Sequence, residues 1–271
     1  MADPVGVVFM VSVLRVLVFV LLAVPLSGTF GCASTPEVAE MPTAEQLFEE
    51  GVELLTPKKF LTLDTTDYTG AIQRFQDIID NYPYSSLAVD AELKIADAFY
   101  QQEAYEEAVS YYQDFADLHP DHAAVPYTLL RAAMCHERQS REPGRDQTAT
   151  REALNQLDLV ITRYPFSAEA TEAEVLWREL RTKLGAHVMG IGNFYFERGE
   201  YQSAANRYRS VLNEYPGLGL DAQALYKLGV CYQNLNRDEQ ATHIFEVLLE
   251  NYEGSDVAKA AQDLLAPASA N

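Results

Sequence analysis

Residues 185–216 read GAHVMGIGNFYFERGEYQSAANRYRSVLNEYP, and their pattern predicts two helices joined by a tight turn. Ile191, Gly192 and Tyr195 share a stripe on the first helix. Glu197-Arg198-Gly199-Glu200-Tyr201 supplies the turn, with Gly199 free to take a positive φ. Ala204, Tyr208 and Val211 form the inner stripe of the second helix, and Pro216 ends it, because the residue before a proline disfavours the α region. Gly192 and Ala204 are both small and lie 12 positions apart, a spacing that lets the two helices cross closely.

Working outward, the same unit recurs. Ala71-x3-Phe75 leads to Tyr82-Pro83, Ala108-x3-Tyr112 to His119-Pro120, and Ala153-x3-Leu157 to Tyr164-Pro165. Ala204-x3-Tyr208 leads to Tyr215-Pro216, and Ala241-x3-Phe245 to Tyr252-Glu253, which lacks the proline. The aromatic before the proline is placed to pack under the next unit. Small residue, aromatic, turn, Ala-x3-aromatic and proline together resemble the tetratricopeptide (TPR) unit. Such units cannot bury their apolar faces alone and must stack, so the expected fold is all-α: a TPR-type α-solenoid of five helix-turn-helix repeats with local contacts and no sheet. The repeats fall at roughly 43–83, 88–120, 125–165, 185–216 and 221–253, within a solenoid of 43–265.

Two units carry insertions. Ala96, Gly192 and Gly229 precede their alanines by 12 residues, whereas Gly51 and Ala133 precede theirs by 20. The eight extra residues include Thr56-Pro57-Lys58-Lys59 in unit one and the charged loop 138–146 in unit three, where Asp146, Gln147 or Thr148 can cap the following helix. Residues 167–184, SAEATEAEVLWRELRTKL, form an extra amphipathic helix between units three and four, with Ser167 as N-cap. It either runs into unit four or breaks at Gly185. A last helix, 255–265, caps the open end before a disordered tail at 266–271.

The chain has 271 residues and a net charge of −20, which excludes nucleic-acid binding through a general basic surface. Residues 1–31 read as a signal peptide. The run VLVFVLLAVPL at 16–26 has the length of a signal h-region and is too short to span a bilayer comfortably. MVSVLR from Met10 makes a better n-region than a start containing Asp3-Pro4, so Met1 and Met10 both stand as starts. Gly31-Cys32 after the run resembles a bacterial lipobox, with Thr29 where leucine is usual. Cys32 is then the lipidated first residue of a flexible tether, 32–42; the alternative is an ordinary signal or a signal anchor with an incidental cysteine. Cys135 and Cys231 occupy one slot in repeats two units apart. An oxidising compartment permits a disulfide, but those slots argue for two small apolar core residues.

No catalytic constellation is present. The five histidines form no metal-ligand spacing, and neither a G-x-S-x-G elbow nor a phosphate-binding glycine loop occurs. His136 fills a slot that is aromatic in most other units. What remains is surface. One turn either side of each small residue lie Phe48 and Val52, then Leu93 and Tyr100, then Tyr127, Leu130 and Met134. Met189 and Phe196 follow in unit four, and Tyr226 and Val230 in unit five. On the inner face of a solenoid, those of units one to three suit an extended peptide, unless bending of the solenoid and the insertions bury them. Arg198, flanked by Glu197 and Gly199, is a fixed-fork donor at a hairpin tip and suits a partner carboxylate. A local pair with Glu197 or Glu200, or a cap on the helix, is the alternative.

RYPFSAEATEAEVLWRELRTKL (163–184) followed by FYFERGEYQSAANRYRSVLNEYP (194–216) is similar to the BamD family, lipoprotein subunits of the outer-membrane β-barrel assembly machine. The helix after the third Tyr-Pro, the Arg198-Gly199 turn and Ala205-Asn206-Arg207 carry the resemblance, which covers roughly 43–253 plus the signal and Cys32. Val188 departs from it, since the family tends to carry glutamate there. The resemblance implies a non-catalytic scaffold with no cofactor besides its lipid anchor, on the periplasmic face of the outer membrane. Its N-terminal repeats would receive the C-terminal targeting strand of unfolded barrel proteins. Its C-terminal repeats would dock the periplasmic domain of the barrel-insertion subunit and accessory lipoproteins. A TPR lipoprotein of cell-division, envelope or pilus assembly is the runner-up. An enzyme with an acidic cleft acting on peptidoglycan lacks a nucleophile and a metal site.

Stable anchoring takes more than one acyl chain, since each buried CH₂ contributes only about 0.8 kcal/mol. Cys32→Ser is therefore expected to move the protein from the membrane to the soluble periplasmic fraction. Intact mass of the wild-type mature chain checks the anchor: an unmodified chain starting elsewhere refutes it.

Overall fold

A computed structural model of the chain describes residues 41–57, 59–60, 63–64 and 66–265. The expectations for the signal segment, Cys32, most of the tether and the tail lie outside these residues. The described residues from Pro42 to Leu265 belong to one unit by their contacts. Five helix pairs follow one another: α1 (Ala44–Leu55) with α2 (Tyr68–Asn81), α3 (Ser86–Gln101) with α4 (Tyr105–Leu118), and α5 (Val125–Gln139) with α6 (Thr148–Arg163). Then come α7 (Ala168–Glu197) with α8 (Tyr201–Glu214), α9 (Asp221–Asn234) with α10 (Asp238–Asn251), and a final α11 (Asp256–Leu265). Each helix packs mainly on its neighbours in the chain, the arrangement of a TPR-type α-solenoid.

The ends of the helices follow from local chemistry. Thr43 and Gln46 form a capping box at α1, the Thr43 hydroxyl accepting from the Gln46 amide and the Gln46 side chain from the Thr43 amide. Asp67 caps α2 through the Gly70 amide at 2.8 Å, and Ser167 caps α7 through the Ala170 amide at 3.1 Å. Asp146 is the residue that accepts from the Thr148 amide before α6, while the Gln147 side chain turns into the loop.

The second helix of every unit stops in one conformation. Tyr82, His119, Tyr164, Tyr215 and Tyr252 all have φ between −132° and −125°. Tyr252 reaches it without a following proline, so in unit five the stop does not depend on one. The hairpin turns also share a slot. Glu103, Gly199 and Asn236, each five residues before its unit's alanine, have φ of 64°, 75° and 56°, the left-handed region that glycine enters at least cost.

The core repeats one contact. A Cβ placed on Gly51 would lie 2.7 Å from the Phe75 ring, on Gly192 2.7 Å from the Tyr208 ring, and on Gly229 2.3 Å from the Phe245 ring. All three rings are fully buried. Ala96 and Ala133, opposite Tyr112 and Leu157 in the pattern, are fully buried as well. The small residue thus makes room for the bulky residue four positions after the alanine, a tighter statement than a close helix crossing. Burying one such ring contributes roughly 1.5–3 kcal/mol.

One expectation needs correction, and one open alternative is decided. The insertion of unit one holds a small antiparallel hairpin, β1 (Lys59–Phe60) and β2 (Leu63–Asp64), with Lys59 opposite Asp64 and Phe60 opposite Leu63. Pro57 cannot extend α1, and the strands satisfy each other's backbone groups. Of the two alternatives for the extra helix, it runs into unit four: it continues through Gly185 as that unit's first helix, making α7 30 residues long. Gly185 does not break it, because Leu220 and Tyr215 pack into the space where its side chain would be. Cys135 and Cys231 are free and fully buried, in separate clusters, and burial pushes both thiols up to about 12.

Gly190 and Gly192 give a paired test within α7. A Cβ on Gly190 meets nothing within 4 Å, whereas one on Gly192 meets a ring that has no room to move. Gly190→Ala is expected to stabilise the protein by up to about 1 kcal/mol through helix propensity. Gly192→Ala should instead cost on the order of 1–3 kcal/mol by overpacking. Thermal or urea unfolding of the two variants decides it, and equal shifts of the same sign would contradict this packing.

Candidate functional site

The residues proposed for a peptide groove are spread over three packing clusters, with Val52 outside them. Phe48 is half-buried and stands edge-on to Phe75, 5.5 Å between centroids, in the unit-one core. Val52 is exposed at 41%. Leu93, Tyr100 and Tyr127 are half-buried and meet in the cluster that joins units two and three. Met134 is half-buried and packs with the unit-three core. Leu130 is corrected: at 3% exposure it is a core residue, held between α5 and its neighbours, and offers no contact surface. Met189 is likewise buried at 4%.

Around Tyr100 and Tyr127 lies a polar network that the sequence did not single out. The Asp97 Oδ1 accepts from the hydroxyls of Tyr112 and Tyr127, both at 2.7 Å. Arg131 Nε donates to the Tyr112 oxygen at 3.3 Å. The Arg131 guanidinium lies 3.6 Å from the centre of the Tyr100 ring, a cation–π stack, and 5.8 Å from that of Tyr127. Burial, and after it the Asp97 carboxylate, hold the Tyr112 and Tyr127 phenols above their ordinary range, so both stay neutral donors. The network ties α3 and α4 to α5. Its signal in the sequence was a single arginine within the apolar run LLRAAM (129–134).

At the tip between α7 and α8, Glu197, Arg198, Gly199 and Glu200 are all exposed. Gly199 holds φ 75° and closes the turn. Among the described residues Arg198 makes no ion pair; its guanidinium lies over the Phe194 ring, 4.3 Å from the centre, and that ring is itself 50% exposed. The charge is therefore held in place while its donors remain available.

A cleft opens beside this tip. It has a volume of about 480 Å³ between the unit-three loop and α7, with Pro143 and Gly144 on one wall and Gly190, Ile191, Phe194 and Tyr195 on the other. The loop is braced. Gln147, 2% exposed, donates through Nε2 to the carbonyls of Glu142 and Arg145 at 2.9 and 3.1 Å. Lys183 Nζ donates to Ser140 Oγ at 2.7 Å, and His187 Nδ1 donates to the Pro143 carbonyl. A second, polar cavity of about 580 Å³ includes His136, Asp146 and Glu152. Burial pulls His136 below its ordinary value, partly opposed by Glu152. Among the described residues no three His, Cys, Asp or Glu side chains are grouped to hold a metal, and no helix is long and apolar enough to cross a membrane.

Stacked helix hairpins packed on their chain neighbours define a helical-repeat protein of the TPR class. Residues 43–248 match the family model YfiO, described as an outer membrane lipoprotein, and the chain belongs to that family. It is 28% identical to "Outer membrane protein assembly factor BamD" of Caulobacter vibrioides, over 87% of this chain and 75% of that protein. It is 27% identical to the protein of the same name from Neisseria gonorrhoeae, over 86% and 91%. The Rickettsia prowazekii protein of that name is 28% identical, over 83% and 87%. Among solved structures, "TPR2AB-domain:pHSP90-complex of yeast Sti1" aligns over 82% of this chain and 83% of that one, with 13% identity and a TM-score of 0.45.

The Asp97 network gives a stability test. Asp97→Ala leaves two phenol hydroxyls without their charged acceptor and is expected to cost about 1.5–3 kcal/mol. Asp97→Asn keeps an acceptor oxygen and should cost clearly less. Urea midpoints of the two variants check the ordering.

Proposed function

We propose that this chain is an outer-membrane lipoprotein scaffold that serves the assembly of β-barrel outer-membrane proteins, working by binding and positioning rather than by catalysis. Membership of the YfiO family over 43–248 and relatives that carry the name of outer membrane assembly factors support this reading. Cys32 is its lipid attachment point, which places the solenoid on the periplasmic face. The C-terminal half docks the periplasmic domain of the barrel-insertion subunit through the Glu197-Arg198-Gly199 tip, and accessory lipoproteins bind this end as well. The N-terminal half receives unfolded barrel clients along Phe48, Val52, Leu93, Tyr100, Tyr127 and Met134.

The observation that carries the docking assignment is Arg198: exposed, stacked on Phe194 and without an internal carboxylate partner among the described residues. A guanidinium fixed on a ring loses little further freedom when it meets a partner carboxylate. The half-buried aromatics of units two and three supply apolar area for a client strand, with Tyr100 already oriented by Arg131.

Arg198→Glu is expected to weaken binding of the purified periplasmic domain of the barrel-insertion subunit by about tenfold or more, since charge reversal opposes the partner group. Tyr127→Ala with Met134→Ala should leave that binding intact and weaken binding of client C-terminal peptides. Pull-downs with both probes, controlled by circular dichroism, separate the two ends. Wild-type subunit binding by Arg198→Glu, or loss of both activities through unfolding alone, would remove the division of labour.

A further inference from the structure

One edge of units one to three is set apart by what it exposes. Among the described residues from Pro42 on, Tyr84, Phe166 and Leu118 are the most exposed large apolar side chains, the two rings fully and Leu118 by 69%. Tyr84 and Phe166 hold one register, each directly after its unit's Tyr-Pro stop at 82–83 and 164–165. Leu118 closes α4 just before the stop at His119. Single exposed apolar residues are ordinary, but these three gather where second helices end and first helices begin. Contacts tie those ends together. The Tyr82 hydroxyl donates to the Pro42 carbonyl at 2.7 Å, the Ser85 amide donates to the Tyr82 carbonyl, and His119 Nε2 lies 2.7 Å from Glu92 Oε2. A cavity of about 320 Å³ joins the end of α4, through Asp117 and Pro120, to the end of α6, through Arg163 and Tyr164.

The same edge is poor in charge. The turns 82–86, 119–124 and 164–167 read YPYSS, HPDHAA and YPFS, with Asp121 their one carboxylate and no lysine or arginine. The hairpin turns at the other ends of these helices, 102–104 and 140–147, carry Glu103, Arg141, Glu142, Arg145 and Asp146. Helix α7 sets unit four back from the edge. Its residues 168–184 put Gly185 about 25 Å along the axis from Ala168, and Tyr215 and Leu220 of the next inter-unit turn pack at Gly185. In that set-back turn Gly217 stands where Tyr84 and Phe166 stand in the turns that reach the edge.

The solenoid begins at this edge, since Pro42 is bonded to Tyr82. Cys32 lies ten residues before Pro42, so the chain between them spans at most about 35 Å. An acylated Cys32 therefore keeps the edge within that distance of its bilayer. Rings and a leucine with few charges beside them suit the headgroup layer, where amphipathic and apolar side chains settle. Asp80, Asp117 and Asp121 rim the edge and favour neutral headgroups over anionic ones.

We propose that the edge bearing Tyr84, Leu118 and Phe166 rests on the lipid bilayer, with its rings in the headgroup layer, and so orients the solenoid: units one to three against the membrane, unit four held off by α7. The inference rests on the reading of Cys32 as the lipid attachment point and adds a second, peripheral contact to it. Such a contact is weak alone; joined to the acyl chains by a short tether, it fixes which way the scaffold faces.

Tryptophan placed at the edge tests it. The full mature chain, acylated, is reconstituted on vesicles of neutral phosphatidylcholine brominated in its acyl chains, which quenches tryptophan at the bilayer. Tyr84→Trp and Phe166→Trp each replace a fully exposed ring, so the conclusion does not hang on one variant folding. Arg141→Trp, exposed on the unit-three loop, is the control, and the wild type gives the background from Trp177. Both edge tryptophans are expected to lose emission and shift to the blue, and Arg141→Trp to do neither. Edge tryptophans quenched no more than the control, on a chain that floats with the vesicles, overturn the proposal and leave the anchor standing. A mature chain that carries no acyl group and stays in solution overturns the anchor and the proposal with it. Edge tryptophans that shift only when the purified periplasmic domain of the barrel-insertion subunit is added assign the edge to a protein and overturn the proposal.

Discussion

A bare α-carbon on one helix faces a ring on the next, and this contact sets how the two helices of a unit lie together. Gly51 under Phe75, Gly192 under Tyr208 and Gly229 under Phe245 are the same solution reached three times. The ring fills the space that a side chain would need, so position along both helices is fixed at once. Slipping either helix by one turn puts a larger residue where only hydrogen fits. Register, the turn five residues before each alanine and the stop at each tyrosine or histidine follow from that fixed pairing. Because each unit buries its face on the next, the order propagates along the chain.

The departures from strict repetition are where the loop, the cleft beside α7 and the exposed tip arise. The unit-three loop exists because eight residues separate α5 and α6, and it is held to α7 by side chains rather than by repeat packing. The loop and α7 meet because α7 runs unbroken past Gly185, where Leu220 and Tyr215 fill the gap and keep the helix straight in sequence. Had α7 broken there, Lys183 would not share a helix with His187 and Phe194. The hairpin tip and the cleft are thus products of one continuous helix and one braced loop.

Polar chemistry inside the solenoid serves a different purpose from polar chemistry on it. Asp97, Tyr112, Tyr127 and Arg131 satisfy one another across three helices and leave little demand for an outside partner at Tyr112 or Tyr127. Arg198 has no such internal acceptor among the described residues and rests on a half-exposed ring. The contrast separates a network that locks units two and three together from an exposed charge resting on a ring.

Much of the fold was legible from residue spacing alone. The alanine-to-aromatic interval, the small residue 12 or 20 positions earlier and the tyrosine stops all report local geometry, and local geometry decides a structure whose contacts are mostly between chain neighbours. The free cysteines and the Ser167 cap were equally local. Three things were not. Whether Gly185 ends a helix depends on Leu220 and Tyr215, more than 25 residues away. Whether Leu130 faces solvent depends on how α5 is enclosed by α6 and α7, which a stripe of apolar residues on one helix does not reveal. Whether Gly190 and Gly144 bound a common space depends on a loop folding back through Lys183–Ser140 and His187–Pro143, contacts spanning more than 40 residues. The sequence determined the repeat, because its signals lie within one turn or one hairpin. Only the tertiary structure decided the surfaces, because they are made where segments distant in the chain come to lie side by side.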